Sequence, residues 1–306
     1  MKETPILFGP EGSPLLGVVT SPDSERQLPV ACLMFNMGAT SRVGPRRINV
    51  KLARELAAQG ISSIRFDLAG LGDSAAPAGS ARYLEQAVLD LQAAMNLVET
   101  MLGIRRFIVI GLCSGGVHGL SLAEADPRVI GLLMFDGYAF PGRRARLERN
   151  LRRLLALPGN ASIAGKTARW LRRRFSPPAP QLFEPEPIEA TMALFRRAMT
   201  AITERGAAVF LLYSGTLHVR DAGRDQLGPF AGEPFARRLE YRFIGEIDHT
   251  VTSLAAQRIF LDVAGEWALR VAAPGAAPAT AAARAAAADT PVLPLALHQR
   301  PSDALS

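Results

Sequence analysis

A chain of 306 residues with 48% hydrophobic and 21% charged residues can bury a sizeable core, and this composition excludes disordered and collagen-like classes. Its formal charge of +7 comes from arginine, since Lys2, Lys51 and Lys166 are the only lysines among 35 basic residues. No run of 18 apolar residues occurs, and the opening Met1-Lys2-Glu3-Thr4-Pro5 lacks an apolar h-region, so a cytoplasmic protein with no membrane span is expected. Two cysteines, Cys32 and Cys113, exclude a disulfide framework and a CxxC metal signature. No cofactor, metal or nucleic-acid partner is expected.

Residues 5–19 read as two short strands around the turn Gly9-Pro10-Glu11-Gly12, and Val30 to Phe35 as a continuous apolar strand. Arg46 to Gln59 has helical spacing through Ile48, Leu52 and Leu56, and Gly60 stops it. The strand Ile61 to Phe66 follows, then a helix from about Tyr83 to Met101, the strand Phe107 to Ile110, a helix from about Val117 to Ala125 and the buried strand Ile130 to Phe135. This alternation predicts an α/β fold with a mostly parallel sheet of about eight strands and helices on both faces.

The rhythm fails between Gly142 and Gly206, a helical stretch with ten arginines between Arg143 and Arg174; it predicts a cap insertion over about residues 140–206. Strands resume at Ala208 to Tyr213 and Leu239 to Ile244, before a helix from about Val251 to Val271. One domain is expected over residues 1–272. The Ala/Pro-rich residues 273–306 are expected to form a disordered tail.

The segment Phe107-Ile108-Val109-Ile110-Gly111-Leu112-Cys113-Ser114-Gly115-Gly116 is an apolar strand running into a tight turn and a helix. That is the setting of a nucleophile elbow, in which the residues two before and two after the nucleophile must be small so that strand and helix approach closely. Centring on Cys113 puts Gly111 and Gly115 there, whereas centring on the alternative, Ser114, puts bulky Leu112 at one position. Cys32, inside an apolar run, reads as a small buried hydrophobe.

On these residues the chain resembles the α/β-hydrolase superfamily over roughly residues 5–272. Asp67-Leu68-Ala69-Gly70-Leu71-Gly72-Asp73-Ser74 is similar to that superfamily's D-x-x-G-x-G-x-S turn. More narrowly, Asn36-Met37-Gly38, Arg42-Val43-Gly44-Pro45 and the Gly-Leu-Cys-Ser-Gly elbow resemble the hydrolases associated with exosortase systems and their relatives in bacterial biosynthetic clusters. The resemblance implies two oxyanion donors, the Ser114 amide and an amide near Ala39 made approachable by Gly38.

Among the four histidines, His249 stands after the last strand and before the last helix, where the superfamily carries its base. His118 falls behind the elbow, His218 after Ala208–Tyr213 and His298 in the tail. The acid's usual Gly-x-x-Asp is replaced by Gly215-Thr216-Leu217-His218. Two carboxylates keep the chain order: Asp136, favoured because a strand's C-terminal end is rigid scaffold at the edge where α/β sheets place their sites, and Asp221.

The expected activity is hydrolysis of an ester or thioester through a thioester on Cys113. An acyltransferase or cyclase using the same intermediate, and a non-catalytic binding module, are the alternatives. The substrate is expected to be a small acyl compound; the arginines of the insertion suit an anionic carrier such as coenzyme A or an acyl carrier protein.

Overall fold

The computed structural model describes residues 1–23, 27–142, 147, 187–215, 221 and 223–273. Eight strands follow the chain as β1 (Lys2–Phe8), β2 (Leu15–Ser21), β3 (Ala31–Met34), β4 (Ser62–Phe66), β5 (Phe107–Leu112), β6 (Val129–Phe135), β7 (Ala208–Ser214) and β8 (Glu240–Ile244). They form one sheet in the order β1-β2-β4-β3-β5-β6-β7-β8. The pairs β1/β2 and β2/β4 are antiparallel and all others parallel. The β1–β2 turn is where expected, with Gly9 and Gly12 at φ 96° and 80°, a region open to glycine without a Cβ penalty.

Alternate residues of the central strands enter two separate cores. Leu33, Val109, Leu132 and Leu211 face one and Cys32, Ile108, Leu133 and Leu212 the other, as the two-residue period of a strand requires. The first core is covered by α2 (Tyr83–Leu102), α3 (Ser114–Ala125) and α4 (Ile188–Glu204), the second by α1 (Ile48–Ala58) and α5 (Leu254–Ala272). Both faces of the central strands are therefore covered. Gly131 in β6 lets α5 settle closely, since a Cβ there would stand 2.9 Å from Val271 Cγ1.

Three helix starts differ from expectation. Pro45–Arg47 form a 3-10 turn with Arg46 and Arg47 at φ 51° and 60°, so α1 begins only at Ile48. The elbow feeds α3 directly, and the helix begins at Ser114 rather than near Val117. Val251 at φ 46° cannot join α5, which instead starts after Ser253, whose Oγ accepts the Ala256 N–H; such a cap is worth about 1 kcal/mol.

Of the residues expected as cap, 188–204 instead form α4, which packs against α3 in the first core of the sheet. Residues 143–146 and 148–186, with the ten arginines, and the tail beyond residue 273 lie outside the described residues. Among the described residues no helix is long and apolar enough to cross a membrane.

Candidate active site

The chain leaves β3 for β4 on one side and then returns to lay β5 on the other side of β3. Such a reversal opens a crevice outside the carboxyl ends of the two strands. The loop after β3 and the turn after β5 meet there.

Cys113 occupies that turn at φ 53° and ψ −119°, a conformation that costs a non-glycine residue about 1–3 kcal/mol. It is held by its N–H to Phe135 O at 2.8 Å and by its carbonyl, which accepts the Gly116 N–H at 2.9 Å. A Cβ on Gly111 would stand 2.4 Å from Gly115 O, and one on Gly115 would stand 3.1 Å from Asn36 O. Gly111 is thus a steric requirement, and a side chain at Gly115 would crowd the loop after β3. Leu112 is buried in the core, while Cys113 is half-buried.

Asp136 follows β6 at φ 51°. Its N–H donates to Leu212 O at 2.9 Å, its Oδ1 accepts the Ser214 N–H at 2.8 Å, and its Oδ2 lies 2.8 Å from His249 Nδ1. The carboxylate is fully buried and the imidazole only one-fifth exposed, so little water competes for the contact. The Cys113 thiol is near enough to the same imidazole to raise its proton affinity. With Nδ1 facing Asp136, Nε2 is the nitrogen left for the thiol. The Asp136 hydrogen bond first, and the Cys113 thiol second, push the His249 pKa up to about 10, although burial opposes the charge.

The loop carrying His249 is built around Asp248. That carboxylate accepts the N–H groups of Thr250 and Thr252 at 3.0 and 2.7 Å and their hydroxyls at 2.9 Å each. The neighbouring loop after β7 is pressed against it. Gly215 donates to Ile247 O at 2.9 Å, and a Cβ on Gly215 would lie 2.2 Å from Gly245 O.

Asp221, the other acid considered, is engaged elsewhere, accepting from Tyr241 Oη and from the Asp225 N–H. His118 is buried between Phe35 and Tyr83, and burial lowers its pKa to about 4. His218 and His298 lie outside the described residues.

On the side of the loop after β3, Ser114 opens α3, and first-turn N–H groups have no partner within their helix. Gly38 has φ 57°, and the Thr40 N–H donates to Met37 O at 3.0 Å across the exposed tip Gly38-Ala39. The Gly38 N–H donates to the Ser114 side-chain Oγ at 2.9 Å.

Sequence reasoning missed what the Asp67 motif does. Asp67 is fully buried, accepts from Asn36 Nδ2 and the Arg42 N–H, and pairs with the Arg42 guanidinium. It also accepts the Asp73 N–H, and a Cβ on Gly72 would meet its carboxylate at 2.4 Å. One buried charge therefore ties the loop after β3 to the loop after β4. The signal was present, since Asn36, Arg42 and Asp67 all stood in the quoted motifs, but their convergence spans segments far apart in the chain. Among the described residues no group of three or more His, Cys, Asp or Glu side chains could hold a metal ion.

The fold has many structural neighbours. The esterase domain of a Rhodothermus marinus protein matches with a TM-score of 0.55 and 17% identity, covering 89% of this chain and 100% of that one. An α/β serine hydrolase without a lid from Xanthomonas campestris matches at 0.53 and 13%, covering 92% and 97%. Est1E from Butyrivibrio proteoclasticus with ferulic acid bound matches at 0.55 and 13%, covering 86% and 98%. At these identities the likeness is one of fold. No curated protein matches the sequence. The sequence profile described as "Alpha/beta hydrolase family" matches residues 45–276, and with three-quarters of its length under that profile the chain belongs to the alpha/beta hydrolase family.

Proposed function

We propose that the protein hydrolyses a carboxylic ester or thioester through an acyl intermediate on Cys113. The observation that carries this reading is the Asp136–His249 pair, whose imidazole is electrostatically coupled to Cys113 on a glycine-flanked elbow. With its pKa raised to about 10, His249 holds the proton taken from the thiol as imidazolium, which leaves Sγ as the nucleophilic thiolate. Sulfur then attacks the carbonyl carbon, and the carbonyl electron pair moves to oxygen, where the Ser114 N–H and an amide of the loop tip near Ala39 hold it. Collapse expels the alcohol or thiol, which leaves with the proton from His249. Water next gives a proton to His249, attacks the thioester and releases the acid as Sγ regains its proton.

Asp136 holds the ring by Nδ1 so that Nε2 is turned toward the thiol, and stabilises the imidazolium. The esterases among the structural neighbours support the reaction class, and the likeness of the Asn36 and elbow motifs to exosortase-associated hydrolases supports the acyl-transfer chemistry. We include in the proposal a carrier, coenzyme A or an acyl carrier protein, met by the arginine-rich insertion.

Brief treatment with an activated aryl ester followed by mass spectrometry tests the reading. An acyl adduct is expected on Cys113, absent in Cys113→Ala and much reduced in His249→Ala. An adduct on Ser114 with Cys113 unmodified would overturn the assignment of the nucleophile, and no adduct on any residue would favour a binding module.

A further inference from the structure

The loop after β3 is secured from within at its two ends. Asn49 Nδ2 donates to Phe35 O and Arg42 O, Asn36 Nδ2 donates to Thr40 O, and Asp67 receives Asn36 and Arg42. None of these contacts reaches the tip. Gly38 is exposed, has a left-handed φ of 57° and, among the described residues beyond its chain neighbours, has no atom within 4 Å of where a Cβ would be. What joins the tip to the elbow is the hydrogen bond from the Gly38 N–H to Ser114 Oγ, across 76 positions of sequence.

Its length of 2.9 Å is that at which an amide would hold an oxyanion, so the Gly38 amide is already occupied at rest. Ser114 therefore has two separable parts. Its main-chain N–H faces the reacting carbonyl on the reading above, and its side chain grips the opposite wall of the crevice. We propose that Ser114 is a positioning residue whose hydroxyl clamps the loop after β3 onto the elbow, setting the spacing of the oxyanion donors before substrate arrives. Preset donors lower the barrier because they need no reorganisation as charge develops.

The inference rests on the acyl-transfer reading, and one pair of variants separates the two. Ser114→Ala keeps the main-chain N–H and removes the clamp; Ser114→Thr keeps a hydroxyl. With a small neutral aryl ester, Ser114→Ala should lower kcat by about three- to tenfold, the span that corresponds to one net hydrogen bond. KM should stay unchanged, because the stabilisation arises only in the transition state. Ser114→Thr should recover most of the loss. Amide exchange at Gly38 should quicken in Ser114→Ala and not in Ser114→Thr, a readout independent of turnover.

A wild-type protein that forms no acyl adduct would remove the reading of function. An adduct in the wild type, with Ser114→Ala turning over as fast or faster, would overturn the clamp and make the hydroxyl a bystander or a plug. Unchanged exchange at Gly38, or a Ser114→Thr variant as slow as Ser114→Ala, would overturn it equally.

Discussion

Asp136 holds a left-handed backbone and a buried carboxylate whose two oxygens face different strand ends, Ser214 at the end of β7 and His249 after β8. An Asn there would turn an amide N–H toward His249 Nδ1 and favour the wrong tautomer. Asp136→Asn should thus lower kcat by roughly ten- to a thousandfold, short of the ~10⁴ of a serine triad because a thiol leans less on its base. Asp221→Asn should leave kcat near the wild-type value, since Asp221 serves Tyr241 and Asp225. A larger loss in Asp221→Asn would reverse the choice of acid. The same Asp136 variant should lower the His249 pKa, which is raised from 6.5 to about 10. A raised histidine contributes stability that is full below pH 6.5 and lost as pH climbs through about 10. The stability gap between wild type and Asp136→Asn, read by urea denaturation, should therefore narrow from pH 6 to pH 10. At this scale the sequence was informative where a residue's neighbours in the chain constrain it. The glycines around Cys113 and the strand end before Asp136 are local signals. The Ser114 side-chain contact with Gly38 was not legible, because nothing near either residue announces a partner 76 positions away.

The elbow is where element packing and chemistry are one constraint. β5 and α3 approach so closely that a Cβ on Gly111 would lie 2.4 Å from Gly115 O, and both partners there are backbone. Gly111→Ala should cost about 1–3 kcal/mol, as overpacking does, and should disturb Cys113 more than the rest of the molecule. Activity should fall well before the melting midpoint does, and an alanine variant with wild-type kcat would show that the elbow can open without consequence. Strands and helices were legible here because the two-residue and 3.6-residue periods are strong in a sheet buried on both sides. Helix starts were not. Arg46, Arg47, Cys113 and Val251 all adopt positive φ, and a side chain held in a rare conformation by tertiary contacts leaves no trace in propensity.

Over the whole molecule, strand count and parallel character followed from alternation, but the order in which the strands lie did not. The reversal at β3 that opens the crevice comes from crossovers, and apolar runs such as Val30–Phe35 and Ile61–Phe66 carry no address. Net charge acts at this scale too. If the acyl group arrives on an anionic carrier, kcat/KM for carrier-bound thioesters should fall steeply with salt while that for a small neutral ester stays flat. Replacing Arg172, Arg173 and Arg174 by Gln should flatten the first curve only, and parallel curves for the two substrates would remove the carrier from the proposal.

The contacts of Asp136 also set an order in time. Cys113 leaves the ribosome first, Asp136 next, Ser214 later and His249 last, 136 residues after the thiol. At the usual pace of synthesis that interval is about 7–27 s. Throughout it the nascent chain carries a cysteine with no base beside it, and on the proposed reading the finished protein becomes reactive only when its last strand and the loop after it have joined the sheet. A chain truncated before residue 249 should therefore react with esters far more slowly than the finished protein, so that incomplete products of synthesis acylate themselves little.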